Sequence, residues 1–342
     1  MKTLFFNTKP YDKQYFTTFN EEHHHELHFT DVPLHKDTAV LAKGFDCVCI
    51  FVNDTADAKV IDMLAQQGVK LLALRCAGYN NVDIPAAKKQ GMTIVRVPAY
   101  SPYSVAEHTL ALILGLNRKT HRAYNRVKEG NFALSGLMGF DLHGKSAGII
   151  GLGKIGLVTG QILKGFGCRV LGYDIAKNPE CDAIGIEFTS LDQIYEQCDI
   201  ISLHCPLTPQ TYHLINADSI AKMKKGVMLI NTSRGGLIDT KAVTKALKKE
   251  QIGYLGLDVY EEEADLFFED LSGKVIQDDL FMRLLSFPNV LITGHQAFFT
   301  ENALQKIAQV TLQNITDYET HKTLPNVVNQ VVGLLGFVYY LV

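Results

Sequence analysis

Three side chains able to hold an anion or move a proton stand just beyond short apolar runs in the second half of the sequence. Arg234 lies in Asn-Thr-Ser-Arg-Gly-Gly, Glu263 closes an acidic run five residues after Asp258, and His295 lies in Gly-His-Gln-Ala-Phe. An arginine presents a planar, permanently charged fork that matches a carboxylate. A histidine exchanges a proton near neutral pH, and a carboxylate beside it favours its charged form. These are the groups needed to reduce a carbonyl next to a carboxylate: an anchor for the acid, a proton donor for the carbonyl oxygen, and a partner that keeps the donor protonated. Each has an ordinary structural reading when taken alone. An arginine at a strand end often makes a surface ion pair, an acidic run is often a solvated face, and a histidine beside glycine is often a turn residue. Their joint position past three successive strands, downstream of a nucleotide fingerprint, is what sets them apart.

That fingerprint is Gly151-Leu-Gly153-Lys154-Ile155-Gly156. A strand is expected before it at 147–150 and an apolar helix after it at 155–166. In this context Gly151 permits the tight turn, Gly153 lets backbone approach a pyrophosphate, and Gly156 lets the helix pack against the sheet. An acidic residue is required about twenty positions on, at the end of the next strand, to bind the adenosine ribose. Asp174 fills that place. Its charge would repel a 2′-phosphate and no arginine follows it, so NAD is expected over NADP. A rival phosphate motif, Gly139 to Gly144-Lys145-Ser146, matches the pattern of nucleotide triphosphatases. Its context is reversed, because it leads into a strand instead of leaving one. Gly144-Lys145 therefore reads as the turn before the strand at 147–150.

The elements that must position these residues alternate between short β-branched runs and longer amphipathic ones. A first series has strands at 3–7, 47–52, 71–75 and 93–97, with helices at 57–67 and 84–90 stopped by Gly68 and Gly91. One long helix is expected over 103–125. A second series has strands at 147–150, 169–173, 200–204, 227–231, 254–258 and 290–293. A final helix at 303–319 is expected to return to the first series. The reading is an α/β protein of two Rossmann-like domains. A doubly wound, parallel-sheet NAD domain (101–298) is inserted in a smaller, discontinuous flavodoxin-like substrate domain (1–100 and 299–342).

Composition supports a globular chain. With 342 residues and 47% apolar content, two cores can be built. A net charge of -3 gives no field that would favour nucleic acid or an anionic membrane. Without a signal-like start, the chain is expected in the cytoplasm. The seven cysteines contain no Cys-x-x-Cys pair and read as reduced core thiols. His23, His24 and His25 read as an exposed helix face, and no metal site is expected. Residues 331–342 carry no charge but fall short of the ~20 residues that span a bilayer. They are left without an assigned role.

Seven motifs in order resemble the D-isomer-specific 2-hydroxyacid dehydrogenases over nearly the whole chain. They are Arg-Cys-Ala-Gly-Tyr-Asn-Asn-Val-Asp at 75–83, Val-Pro-Ala-Tyr-Ser-Pro at 97–102, the Gly151 turn, His-Cys-Pro-Leu-Thr at 204–208, Asn-Thr-Ser-Arg-Gly at 231–235, Asp-Val-Tyr-Glu-Glu-Glu at 258–263, and Gly-His-Gln-Ala-Phe at 294–298. The resemblance implies that Arg234 holds the substrate carboxylate, that His295 is the acid/base and that Glu263 is its partner. It also implies substrate contacts from backbone at Ala77 and Gly78, with Tyr100 and Phe298 lining the pocket. On the cofactor side it implies Lys154 and Ile155 at the pyrophosphate and Asp174 at the ribose. Cys205, Pro206 and Thr211 would lie around the adenosine half, with Thr232, Ser233, Arg234 and Asp258 at the nicotinamide. The expected partner is a small 2-keto or 2-hydroxy acid, with pyruvate favoured because Tyr100, Phe298 and Phe299 suggest a small pocket. 2-Ketoisocaproate, phenylpyruvate, hydroxypyruvate and glyoxylate are the alternatives, and an NAD-sensing, corepressor-like binding protein is the non-enzymatic one. A homodimer or homotetramer is expected.

Overall fold

The computed structural model describes residues 1–263 and 266–329, so the uncharged stretch at 331–342 lies outside the described residues. The chain divides into two compact units, Met1–Ser101 with the described residues from Phe299 onward, and Pro102–Phe298.

The first unit is built on five parallel strands: β1 (Lys2–Phe5), β2 (Glu26–Phe29), β3 (Cys47–Ile50), β4 (Leu71–Leu74) and β5 (Thr93–Val95). Their order is β2-β1-β3-β4-β5, the doubly wound order of flavodoxin-like sheets. The central strands β3 and β4 are buried at every position, as parallel strands covered on both faces must be. Helices Ala58–Gln66 and Ile84–Lys89 are capped by the side chains of Asp57 and Asp83. Gly68 (φ +93°) and Gly91 (φ +67°) follow them in the left-handed region where a side chain would be strained. The returning chain supplies helix Glu301–Glu319, and Val327 then pairs antiparallel with Val95. The Asn329 amide accepts from the Ile94 N–H (3.0 Å) and donates to the Met92 carbonyl (2.6 Å).

The second unit holds seven parallel strands: β6 (Ser146–Ile150), β7 (Arg169–Tyr173), β8 (Glu187–Phe188), β9 (Ile200–Leu203), β10 (Val227–Asn231), β11 (Ile252–Leu257) and β12 (Val290–Ile292). The order is β12-β11-β10-β9-β6-β7-β8. Alternate residues of one strand enter different cores. Leu229 packs with Ile201, Leu203 and Leu255 on one face, and Met228 and Ile230 with Ile149 and Ile200 on the other. The order reverses between β6 and β9, which makes their carboxyl ends the switch point where ligands of such sheets bind.

Three local expectations are corrected. The helix expected over 103–125 is two helices, Pro102–Arg118 and Thr120–Lys128, parted at Lys119, whose φ is +50°. A neighbouring segment causes the break. The Asn117 amide bonds the Phe140 carbonyl (2.7 Å) and N–H (2.8 Å), and the Lys119 ammonium donates to the Met138 carbonyl. The three histidines do not form a helix face. They follow a 3-10 turn, Asn20–Glu22, and lead into the unforeseen strand β2, with His24 at φ +57°. His25 is buried, with Nδ1 3.1 Å from the Met1 amino group and Nε2 2.9 Å from the Thr316 hydroxyl. Strand β8 was also unforeseen, because two residues carry no readable period.

All seven cysteines are free thiols and buried. Burial pushes Cys47, Cys198 and Cys205 up to about 12, so the reactive thiolate is scarce at neutral pH. A disulfide-exchange reagent at pH 8 is therefore expected to label none of them promptly in native protein and all seven after denaturation. Prompt native labelling of even one would contradict this packing.

Candidate active site

The glycine turn sits at the switch point. Gly151 follows β6 with φ +101°, and its N–H donates to the Tyr173 carbonyl at the end of β7 (2.8 Å). A Cβ on Gly151 would overlap the His204–Cys205 peptide beyond β9, and one on Gly156 would overlap the Gly151 carbonyl. Both positions therefore require glycine. Gly153 immediately precedes helix Lys154–Gly165, so Lys154 and Ile155 form its first turn. The unpaired N–H groups and dipole of such a helix start favour a phosphate. Asp174 closes the turn from the side: its carboxylate accepts from the N–H of Leu152 (2.7 Å) and of Ile175 (2.7 Å). Beyond β9, the Ser233 hydroxyl donates to the Cys205 carbonyl (2.7 Å), and the Thr211 hydroxyl to the Pro206 carbonyl (2.6 Å). These contacts draw the expected cofactor residues along the edges of β6, β7, β9 and β10. A glycine-only turn, a helix start and a carboxylate make a donor set that fits a dinucleotide. The Gly144-Lys145 segment is the turn before β6, with Gly144 at φ +76°, and opens no helix.

Arg234 leaves β10 on a loop braced by its own strand. The Asn231 side chain donates to the Arg234 carbonyl (2.8 Å) and accepts from the Ser233 N–H (3.0 Å). Gly235 lies against the Tyr260–Glu261 peptide, where a Cβ would overlap backbone. Among the described residues the guanidinium makes one hydrogen bond, Nη1 to the Ser233 carbonyl (2.7 Å), and no ion pair. Its charge is thus available to an anion.

His295 and Glu263 are brought together from β12 and β11. His295 Nδ1 lies 2.8 Å from Glu263 Oε1, with the two side chains 15% and 25% exposed, shielded but open to a small molecule. The other Glu263 oxygen accepts from the Tyr260 N–H (2.8 Å), fixing the carboxylate. Since Nδ1 faces a carboxylate, it carries the proton of the neutral ring, and Nε2 is left to exchange one. His295 itself stands at φ +53°, a conformation that must be held from outside.

Asp258 holds it. Its backbone carbonyl accepts from the His295 N–H (2.7 Å), and its buried carboxylate accepts from the Thr293 hydroxyl (2.5 Å) and the N–H groups of Gln296 (2.9 Å) and Ala297 (2.8 Å). Sequence reasoning did not foresee this role, nor the side chains that support it. His108 Nε2 lies 2.9 Å from the Thr293 hydroxyl and 3.3 Å from Asp258, and the neighbouring Thr109 bonds the Thr232 hydroxyl (2.9 Å). The Phe268 ring packs 5.5 Å from the His295 ring. Phe298 is buried in the second unit, whereas Ala77, Gly78 and Tyr100 belong to the first. No group of three or more potential metal ligands occurs among the described residues.

Comparison with known proteins agrees with this geometry. A family model described as D-isomer specific 2-hydroxyacid dehydrogenase, NAD binding domain, matches residues 110–297. The chain belongs to the D-isomer-specific 2-hydroxyacid dehydrogenases. A 2-hydroxyacid dehydrogenase homolog of Haemophilus influenzae is 53% identical over 96% of this chain and 99% of its own length. The D-lactate dehydrogenase of Escherichia coli is 52% identical over 95% of this chain and 99% of its own. A structure described as the pyruvate reductase of Chlamydomonas reinhardtii superposes with a TM-score of 0.89 at 50% identity, over 95% of this chain and 98% of that one. As a member of that family the chain is an oxidoreductase with NAD as its cofactor.

Asp174 supplies the test of the family's cofactor site. Replacing it with alanine removes the acceptor for two N–H groups and the charge that opposes a 2′-phosphate. Asp174→Ala is expected to raise the KM for NADH by about ten- to a hundredfold, the weight of a hydrogen bond to a charged group, and to narrow the preference over NADPH. An unchanged KM for NADH in steady-state kinetics would contradict the assignment.

Proposed function

We propose that this protein is a D-lactate dehydrogenase, reducing pyruvate reversibly to D-lactate with NADH. The observation that carries the reading is the His295–Glu263 pair at 2.8 Å, set one strand away from the loop of an arginine that makes no ion pair among the described residues. The relative named D-lactate dehydrogenase and the structure described as a pyruvate reductase support pyruvate as the substrate.

In this reading Arg234 holds the substrate carboxylate through its fork, which orients the neighbouring carbonyl. Ala77, Gly78, Tyr100 and Phe298 are the further substrate residues that the family resemblance implies. Bound NADH supplies the hydride for the carbonyl carbon. His295 delivers a proton from Nε2 to the carbonyl oxygen, while Glu263 holds Nδ1 and stabilises the charged ring. In the oxidative direction neutral His295 takes the hydroxyl proton at the same atom. Gly151, Gly153, Lys154, Ile155 and Gly156 hold the pyrophosphate, and Asp174 the ribose. Cys205, Pro206 and Thr211 surround the adenosine half, and Thr232, Ser233, Arg234 and Asp258 the nicotinamide end.

Residues 101–298 then form the NAD domain, inserted between the two parts of the substrate domain, 1–100 and 299–342. The functional particle is a homodimer or homotetramer. Support comes from the segment after Lys119, where Tyr124, Leu134 and Met138 are 64%, 82% and 86% exposed, more apolar surface than a lone subunit gains by showing. Seven free thiols suit the reducing cytoplasm. No helix among the described residues is long and apolar enough to cross a membrane.

The test is NADH oxidation with pyruvate, 2-ketoisocaproate, phenylpyruvate, hydroxypyruvate and glyoxylate, followed by chiral analysis of the product. Pyruvate is expected to give the highest kcat/KM and D-lactate as product. A higher value with a larger keto acid would move the assignment to another substrate, and an L-product would reject it.

A further inference from the structure

A second imidazole–carboxylate pair lies on the turn that presents Glu263, and the reaction derived above does not use it. His213 Nε2 is 2.5 Å from Glu261 Oε1. The other Glu261 oxygen accepts from the Thr240 hydroxyl (2.8 Å) and N–H (3.3 Å) at the start of helix Thr240–Lys248. This is not the geometry of a loose surface ion pair, which holds little. Both carboxylate oxygens are engaged, the side chains are only 29% and 20% exposed, and the His213 ring is stacked on Tyr212 at 3.9 Å. His213 also sits at φ +50°, so its surroundings hold it in place.

The pair touches both loops of the proposed chemistry. Through its backbone N–H, His213 donates to the Gly236 carbonyl (2.9 Å), two residues after Arg234. Through its ring it holds Glu261, two residues before Glu263. Between these two points Gly235 lies directly against the Tyr260–Glu261 peptide, where no Cβ fits. The Tyr260 N–H in turn binds the Glu263 carboxylate that faces His295.

We infer that His213 and Glu261 form a positioning pair that clamps the Arg234 loop to the Glu263 turn, and so sets the spacing between the carboxylate anchor and the acid/base pair. The inference rests on the roles proposed above for Arg234, Glu263 and His295. Loss of the clamp moves both loops, so it raises the KM for the keto acid and lowers kcat together. The Gly151 turn and Asp174, to which the pyrophosphate and ribose are assigned, are held by other contacts, so NADH binding is weakened less than keto-acid binding although the Arg234 loop also faces the nicotinamide end. Displacements of about 1 Å at such groups can cost up to 10²-fold in rate.

The experiment compares His213→Leu, Glu261→Ala, the double variant and His213→Gln, whose amide still offers a donor to Glu261. His213→Leu is expected to raise the KM for pyruvate about tenfold and lower kcat about tenfold, with the Kd for NADH from fluorescence titration raised by less than about threefold. The double variant should be no worse than the worse single one, and His213→Gln should recover most of both constants. Should the leucine variant not fold, Glu261→Asp, which withdraws the carboxylate by one methylene, should give about threefold changes in the same two constants. A fall in Tm with KM and kcat at wild-type values would overturn the inference and leave the pair a purely structural contact. An altered NADH Kd with unaltered pyruvate KM would overturn it in favour of a cofactor role. Absence of turnover by the wild-type protein with any keto acid would reject the underlying reading itself, whereas wild-type turnover with unperturbed variants would reject only the clamp.

Discussion

The turn that carries His295 in the second unit hangs on one buried carboxylate, that of Asp258 at the end of β11. A buried anion is costly unless its lone pairs are filled, and here the filling is done by the turn that carries His295. Thr293, Gln296 and Ala297 donate to the side chain and His295 to the backbone carbonyl, with His108 approaching from a helix. Satisfying Asp258 therefore folds the turn, and folding it drives His295 to φ +53° and its ring onto Glu263. The imidazole is placed by the needs of a neighbouring charge, not by its own preference.

The parallel sheet explains why the other groups are within reach. Strands β10, β11 and β12 are adjacent and point the same way, so the loops bearing Arg234, Glu263 and His295 leave from one edge. The glycine turn leaves from that same edge at β6, where the strand order reverses. Close backbone contacts then set the finer spacing. Gly151 against the peptide after β9, and Gly235 against the Tyr260 turn, are places where glycine is required because another backbone already occupies the room of a side chain. Rigid strands give the direction of each loop, and these contacts give its depth.

Much of this could be read from residue order. The glycine turn was legible because a strand, a helix start and an acid about twenty residues on must occur together for it to work. The placement of Arg234, Glu263 and His295 just beyond three strands was legible because each follows a short apolar run of strand length. The supports were not legible, since they join residues remote in the chain. His108 and Thr293 are separated by 185 positions, and Thr109 and Thr232 by 123. Asp258 was read as a cofactor contact alone, and its anchoring of the His295 turn appears only when the hydrogen bonds are traced. Strand β2, four partly exposed residues directly after His23–His25, lacks the apolar run that marks β3 and β4, and the two-residue β8 is too short to show a period. The break at Lys119 comes from Asn117 and Met138 acting across a loop, not from any helix-stopping residue at that point.

The central claim is that Glu263 holds the His295 ring in place for proton transfer to a keto acid, and the kcat of Glu263→Gln tests it most directly. The carboxylate fixes the Nδ1 side of the ring, 2.8 Å away, and leaves Nε2 to face the substrate. Glu263→Gln is expected to lower kcat about 10²-fold or more, the weight of a positioned acid–base group, with the Kd for NADH within twofold of wild type. A variant with wild-type kcat would contradict the account.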